Sequence, residues 1–132
     1  MMIEWNGPDM KRDMDLVRKI LMFMSENTEG PGVDWENALP GYSEQQIFHH
    51  AHLMAQGDLI DATEISSMED PLPISLPLSI TWTGHEFLDA ARDETLWEKA
   101  KKHVIKPTGG VAMSVLTDWL KGQATAALSL AG

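Results

Sequence analysis

The sequence contains no cysteine among its 132 residues. Disulfide bonds, thiol chemistry and cysteine-based zinc sites are therefore excluded. It also has no apolar run approaching the roughly 20 residues that a membrane-spanning helix needs. The first nine residues show neither the basic nor the apolar region of a signal peptide. We therefore expect a soluble, cytoplasmic protein that does not bind membranes and folds as one domain.

Basic residues are scarce: 10 Lys and Arg stand against 20 Asp and Glu, for a net charge of −10. Between Ile20 and Glu98, Arg92 is the only Lys or Arg. Nucleic-acid binding draws much of its free energy from phosphate neutralisation by Lys and Arg, so the acidic middle disfavours it. Eight of the other nine bases form two groups, one near each end: Lys11, Arg12, Arg18 and Lys19, then Lys99, Lys101, Lys102 and Lys106.

Two segments have clear helical patterns. Apolar residues spaced by three and four predict a helix from Asp9, its N-cap, to about Asn27. Within it, Asp15 lies four residues from both Lys11 and Lys19, which predicts local ion pairing. A second helix is predicted over 43–56, opened by a Ser43–Gln46 capping box and ended by Gly57 in the left-handed conformation.

The intervening segment 27–41 is rich in Gly and Pro and predicts a loop. Within it, residues 33–38 are expected to form a short strand or a helical turn, with Trp35 reaching the core.

The second half predicts a β-hairpin followed by helices. Strands are expected over 58–65 and 78–82, joined by the proline-containing loop 66–77. A Thr83–Glu86 capping box then opens a helix to about Val104, with a bend near Asp93, and a last helix begins near Ala112. This order predicts an α+β fold of winged-helix type. The expected organisation is a leader over 1–8, a winged-helix core over 9–92 and a C-terminal helical extension of the same domain over 93–132.

Several stretches resemble a bacterial and prophage family known as domain of unknown function 2513. The similarity extends over roughly residues 10 to 120, and its most specific parts are the opening helix and the run from Gly84 to Asp89. The resemblance implies a winged-helix-like fold in a phage-related setting, and it brings no activity or catalytic residue with it. The stretches that carry it are Lys11–Leu21, Tyr42–Glu44, Gly57–Ile60, Leu78–Ala91 and Thr95–Lys99.

No residue pattern predicts catalysis or a cofactor. His49 and His52 have the spacing of a shared metal-ligand face, but no third ligand is fixed by spacing. His85–Glu86 lacks the second histidine of the metalloprotease helix, since position 89 is Asp89. No glycine-rich phosphate loop or nucleophile signature is present in the sequence. We therefore expect neither an enzyme nor a bound metal or cofactor.

The helix predicted over 43–56 carries the candidate interaction face, a polar stripe of Gln45, His49, His52 and Gln56. Gln can pair with adenine in the major groove. Yet this helix contains no Lys or Arg, and the candidate wing 66–77 carries Glu69 and Asp70. A wing that touches phosphate should be basic.

Two functional hypotheses follow. The first is a protein-interaction module, an accessory or regulatory protein of phage or prophage, that holds an unknown protein partner. The alternative is a DNA-binding transcriptional regulator, anchored on phosphates by Lys11, Arg12, Arg18 and Lys19. A homodimer through the C-terminal helices, with Trp97 or Trp119 at the interface, is a further expectation.

Overall fold

A computed structural model of the protein describes residues 11–27, 32–106 and 110–131, with the backbone alone from 127 onward. The described chain is α+β, as the sequence predicts, and its element order is compatible with a winged helix. The elements are α1 (Met14–Glu26), α2 (Trp35–Ala38), α3 (Glu44–Gln56), β1 (Ile60–Glu64), β2 (Ser75–Ile80), α4 (Trp82–Ala91), α5 (Glu94–His103) and α6 (Met113–Ala131).

Helix α1 begins later than the apolar spacing predicts. Its N-cap is Asp13, whose carboxylate accepts a hydrogen bond from the backbone N–H of Leu16. The predicted cap, Asp9, lies outside the described residues. The predicted end is confirmed, because α1 stops at Glu26. The apolar spacing predicts too early a start because it counts apolar positions. It does not detect which of two nearby acids, Asp9 or Asp13, accepts hydrogen bonds from the first amides of the helix.

The capping box of α3 is confirmed. The Ser43 hydroxyl accepts from the Gln46 amide at 3.1 Å, and Gln46 Oε1 accepts from the Ser43 amide at 2.9 Å. The predicted left-handed Gly57 is wrong: its φ is −88°. The following residue, Asp58, has φ 61° instead. Asp and Asn tolerate this region better than most residues, so the turn is displaced by one position.

Strands β1 and β2 pair antiparallel, with Ile60 opposite Ile80 and Glu64 opposite Ser75. Within this hairpin, Leu78 has no opposite residue because the register shifts between Asp61 and Ala62. The predicted second strand, 78–82, is wrong in position, since β2 starts at Ser75 and includes Pro77. Proline cannot donate to a ladder, but a bulge in a two-stranded ribbon tolerates it.

The chain leaves β2 and enters α4 without a loop. Thr81 is the N-cap and its hydroxyl accepts from the Gly84 amide at 3.0 Å. The predicted Thr83–Glu86 capping box is therefore wrong. A Cβ at Gly84 would lie 2.0 Å from the carbonyl oxygen of Leu59. Only glycine permits this close approach between α4 and the start of the hairpin.

The predicted bend near Asp93 is a break between two helices. Asp93 caps α5 through the amide of Leu96 at 2.9 Å. The last helix, α6, extends to Ala131, well beyond the predicted stretch.

The core is formed by α1, α3 and α4 with contributions from both C-terminal helices. Trp35 on α2 is buried there, as expected, and Trp97 is fully buried. Trp97 therefore cannot be the interface tryptophan that the sequence suggested; Trp119 is partly buried. The fully buried core side chains include Leu16, Ile20, Leu21, Ile47, Met54, Ile60, Phe87, Leu88, Trp97, Leu116 and Leu120.

Candidate functional site

The predicted interaction face of α3 is largely covered by the hairpin. His49 is buried, and its Nδ1 donates to the carbonyl oxygen of Pro73 at 2.7 Å. His52 is half-buried, with its Nδ1 3.0 Å from Ser75 Oγ. The two histidines of the predicted interaction face are therefore not open to a partner, because Pro73 and Ser75 pack against them.

The two glutamines of the stripe keep some access to solvent. Gln45 is half-buried and Gln56 is exposed, with Gln56 Nε2 3.4 Å from His52 Nε2. They lie at opposite ends of α3 with the two covered histidines between them. The four residues thus do not form a continuous exposed face of the kind that a recognition helix lays in the major groove.

His50, between the covered histidines, is buried and fully hydrogen-bonded. Its Nε2 accepts from the Asp13 amide at 2.9 Å, and its Nδ1 donates to the Gln46 carbonyl at 2.9 Å. These bonds require the neutral ring with its proton on Nδ1. Burial lowers the pKa of His50, opposed by the Gln46 carbonyl and the Asp13 charge.

The N-terminal basic group is divided by the fold. Arg18 is buried and donates to the carbonyl oxygens of Ala91 (2.7 Å) and Arg92 (3.1 Å) and to Glu94 (3.0 Å). Its guanidinium also lies 5.5 Å from the centre of a Trp97 ring. Arg18 therefore closes the C-terminal end of α4, and its prediction as a phosphate contact is wrong.

Lys19 takes a separate position on α1. It is exposed, and its Nζ lies 5.2 Å from the centre of the Tyr42 ring. Partial burial raises the pKa of Tyr42, and the nearby carboxylate of Asp13 adds to the effect.

The other two residues of that group, Lys11 and Arg12, join lysines from the far end of the chain. Together they line a pocket of about 450 Å³ between the start of α1 and the end of α5. Arg12 Nη2 donates to the carbonyl oxygen of Val111 at 3.0 Å, which ties α1 to the segment before α6. We call this cavity the basic pocket; its charged lining residues are Lys11, Arg12, Lys101, Lys102, Lys106, Asp13 and Asp15.

One wall of the basic pocket is held by Asp15. Its carboxylate accepts from the indole N–H of Trp97 at 2.6 Å and from Lys101 Nζ at 3.3 Å. These are tertiary contacts between α1 and α5, whereas the sequence predicted local pairing with Lys11 and Lys19. The hydrogen bond to Glu98 is the largest cause that raises the pKa of Lys101, and the carboxylate of Asp15 adds to it.

Trp82, the first residue of α4, was assigned to a strand by the sequence pattern and is a surface feature that the pattern missed. It is 82% exposed, yet its indole N–H donates to Glu86 Oε1 at 2.7 Å. Glu86 Oε2 in turn accepts from Lys121 Nζ on α6 at 3.2 Å. The hydrogen bond from Lys121, and next that from Trp82, lower the pKa of Glu86. If the cap at Thr81 had been recognised in the sequence, Trp82 and Glu86 would have been predicted to lie one helical turn apart on the same helix.

Within the parts of the chain that the structure describes, no three His, Asp or Glu side chains form a group that could hold a metal ion. Over the same residues, no helix is both long and apolar enough to cross a membrane.

Comparison with known proteins gives a family. Residues 11–111 match the family described as "Hypothetical protein (DUF2513)". The chain is also 34% identical over 92 residues to a protein of Haemophilus influenzae named "Uncharacterized protein", covering 70% of this chain and 76% of that relative. No solved structure matches the chain. The chain therefore belongs to the DUF2513 family.

Proposed function

We propose that the protein is a non-enzymatic protein-interaction module with an accessory or regulatory role, in the phage-related setting that the family resemblance implies. The observation that carries this proposal is Trp82, which is 82% exposed while its indole N–H is hydrogen-bonded to Glu86. Tryptophan is among the residues most enriched in the energetic centres of protein interfaces.

The surroundings of Trp82 support this role. Two consecutive hydrogen bonds, from Trp82 to Glu86 and from Lys121 to Glu86, orient the indole before any partner arrives. This reduces the entropy lost on binding. Glu86 and Lys121 supply charges beside the apolar ring, as in the polar rim of an interface. Val115, 56% exposed on α6, adds apolar surface on the helix that holds Lys121.

The alternative function is DNA-binding regulation, and the geometry of α3 supports it less well. The hairpin covers His49 and contacts His52, and Arg18 is buried away from any phosphate. The helix itself carries Glu44 and no Lys or Arg. Direct readout by α3 would require the hairpin to leave this face.

Site-specific photocrosslinking tests the proposal. A photoreactive benzoylphenylalanine is placed at position 82 and, as the matched control, at position 68, where Met68 is fully exposed on the hairpin loop. Both variants are expressed in the native host and irradiated, and adducts are identified by mass spectrometry. Trp82→Ser and Met68→Ser proteins are then compared in a binding assay with the partner found, after thermal melts establish that both are folded.

We expect a discrete protein adduct at position 82 that is absent at position 68, and at least tenfold weaker binding by Trp82→Ser. An adduct that is a second copy of the chain would assign the surface to a homodimer, which light scattering at several concentrations would detect independently. Adducts only to nucleic acid, or equal adducts at both positions, would overturn the proposal.

A further inference from the structure

A second surface, built from different elements than Trp82, concentrates positive charge in an acidic protein. Five of the ten Lys and Arg residues line the basic pocket, while the chain as a whole carries −10. They come from segments about 90 positions apart: Lys11–Arg12 before α1, and Lys101 and Lys102 in the last turn of α5 with Lys106 just after it. The fold therefore places these cations close together in spite of their mutual repulsion.

The carboxylates in the basic pocket offset this charge only in part. Asp13 caps α1 through the Leu16 amide, and Asp15 is bonded to Trp97 and Lys101. Lys101 is further paired with Glu98 at 3.0 Å. Its role is thus to join α5 to α1. Lys102 and Lys106 are exposed at the rim and are absent from the ion pairs described above.

The shape of the basic pocket restricts the class of ligand. Its volume of about 450 Å³ lies in the range of small-molecule sites, about 300 to 1,000 Å³. The cations surround a concavity, whereas duplex DNA presents a convex backbone and is usually met by an extended basic surface. A compact group with several negative charges can contact cations on opposite walls at once.

We propose that the basic pocket binds a compact polyphosphate group, such as the diphosphate or triphosphate of a small molecule. Arg12, positioned by Val111, offers the planar fork that pairs with phosphate oxygens, and Lys102 and Lys106 act as point charges at the rim. The pocket and the Trp82 surface are independent, so either can fail without the other.

The test uses the full chain and inorganic tripolyphosphate, pyrophosphate and orthophosphate as probes, in titration calorimetry at 150 mM salt. The pocket variant is Lys102→Gln/Lys106→Gln. The matched control is Lys19→Gln/Lys99→Gln, which removes the same charge from exposed lysines outside the pocket lining. Duplex DNA of random sequence is titrated in parallel by fluorescence anisotropy.

We expect the unmodified protein to bind tripolyphosphate more tightly than orthophosphate. The pocket variant should bind tripolyphosphate at least tenfold more weakly than the unmodified protein, and the control variant less than twofold more weakly. No tripolyphosphate binding by the unmodified protein, or an equal loss in both variants, would overturn the proposal. Binding of duplex DNA but not of tripolyphosphate, sensitive to the pocket lysines, would overturn it as well and assign those lysines to a nucleic-acid backbone.

Discussion

The backbone amide of Asp13 donates its hydrogen to Nε2 of His50 at 2.9 Å, so a buried histidine on α3 accepts a bond from the N-cap residue of α1. A protonated ring would place an N–H against this amide N–H and lose the bond. Burial already lowers the pKa of His50. The contact between α1 and α3 thus depends on a neutral imidazole.

Stability should therefore fall as the pH drops through the range where histidine titrates. In the unfolded chain His50 has an ordinary pKa near 6.5, so below about pH 6.5 the unfolded state binds a proton that the folded state does not. The contribution of His50 is complete above this pH and is lost as the pH falls toward its lowered folded pKa, by at most about 1.4 kcal/mol per pH unit. Urea unfolding between pH 5.5 and 7.5 measures it.

Two variants isolate the effect of His50. His50→Gln retains an acceptor near Nε2 but does not titrate, so its free energy of unfolding should change less over this range than that of the unmodified protein. His85→Gln, which replaces an exposed histidine of α4 in the same way, is the matched control against which the change caused by His50→Gln is compared. If His50→Gln and the unmodified protein have the same pH dependence, the neutral-ring requirement is refuted.

Gly84 provides a test of the junction between hairpin and α4. Alanine normally stabilises a helix relative to glycine by about 1 kcal/mol. At position 84 its Cβ would meet the backbone oxygen of Leu59 at 2.0 Å and Ile80 Cγ2 at 2.8 Å. We expect Gly84→Ala to lower the free energy of unfolding by about 3 kcal/mol, as overpacked sites do.

Gly122 on α6 is the matched control, since nothing lies within 4 Å of its added Cβ. Gly122→Ala should stabilise the protein by about 0.5 to 1 kcal/mol. Chemical denaturation measures the change in the free energy of unfolding for both variants. The two changes have opposite signs if the close approach at Gly84 is correct, and the same sign if it is not.

The ease of prediction differs between local and tertiary features. Ser43 and Gln46 identify the start of α3 from sequence because both partners of the capping box are three positions apart. The same rule selected Thr83 over Thr81, because Glu86 lies three positions after Thr83. The rule takes no account of tertiary contacts such as the Leu59 backbone, which requires glycine at position 84. Pro77 argued for a loop because proline cannot donate to a strand ladder. The bulge at Leu78 that accommodates it depends on strand pairing, which the sequence does not show.

The candidate sites depend on tertiary contacts even more. Both basic groups are visible in the sequence, but the sequence does not show that Lys11 and Lys102 share a pocket while Arg18, on the same helix as Lys19, is buried. Helical spacing also placed His49 on the polar stripe of α3, the predicted interaction face. The hairpin covers it, and nothing in the pattern of α3 itself indicates that Pro73 lies above it.

Replacing Arg18 should affect stability and not phosphate binding. Arg18→Met removes the donors for the carbonyls of Ala91 and Arg92. Each buried acceptor left without a partner costs about 1 to 3 kcal/mol, so we expect a total loss of about 2 to 6 kcal/mol by urea unfolding. Lys19→Met, which loses only a contact with Tyr42, should change stability by no more than about 1 kcal/mol. Equal, small changes in the two variants would contradict the role assigned to Arg18.

The covered face of α3 leads to a definite expectation for DNA. Because His49 bonds Pro73 and His52 lies against Ser75, only Gln45 and Gln56 could reach base edges without a rearrangement of the hairpin. Fluorescence anisotropy with random duplex DNA and with the upstream region of its own gene should show only sequence-independent binding. Near-physiological salt should weaken it to dissociation constants of about 1 µM or higher. Gln45→Ala/Gln56→Ala should bind both duplexes as the unmodified protein does. Preferential binding of the upstream region that survives this salt and is lost in the double variant would show that the hairpin opens and that α3 reads DNA.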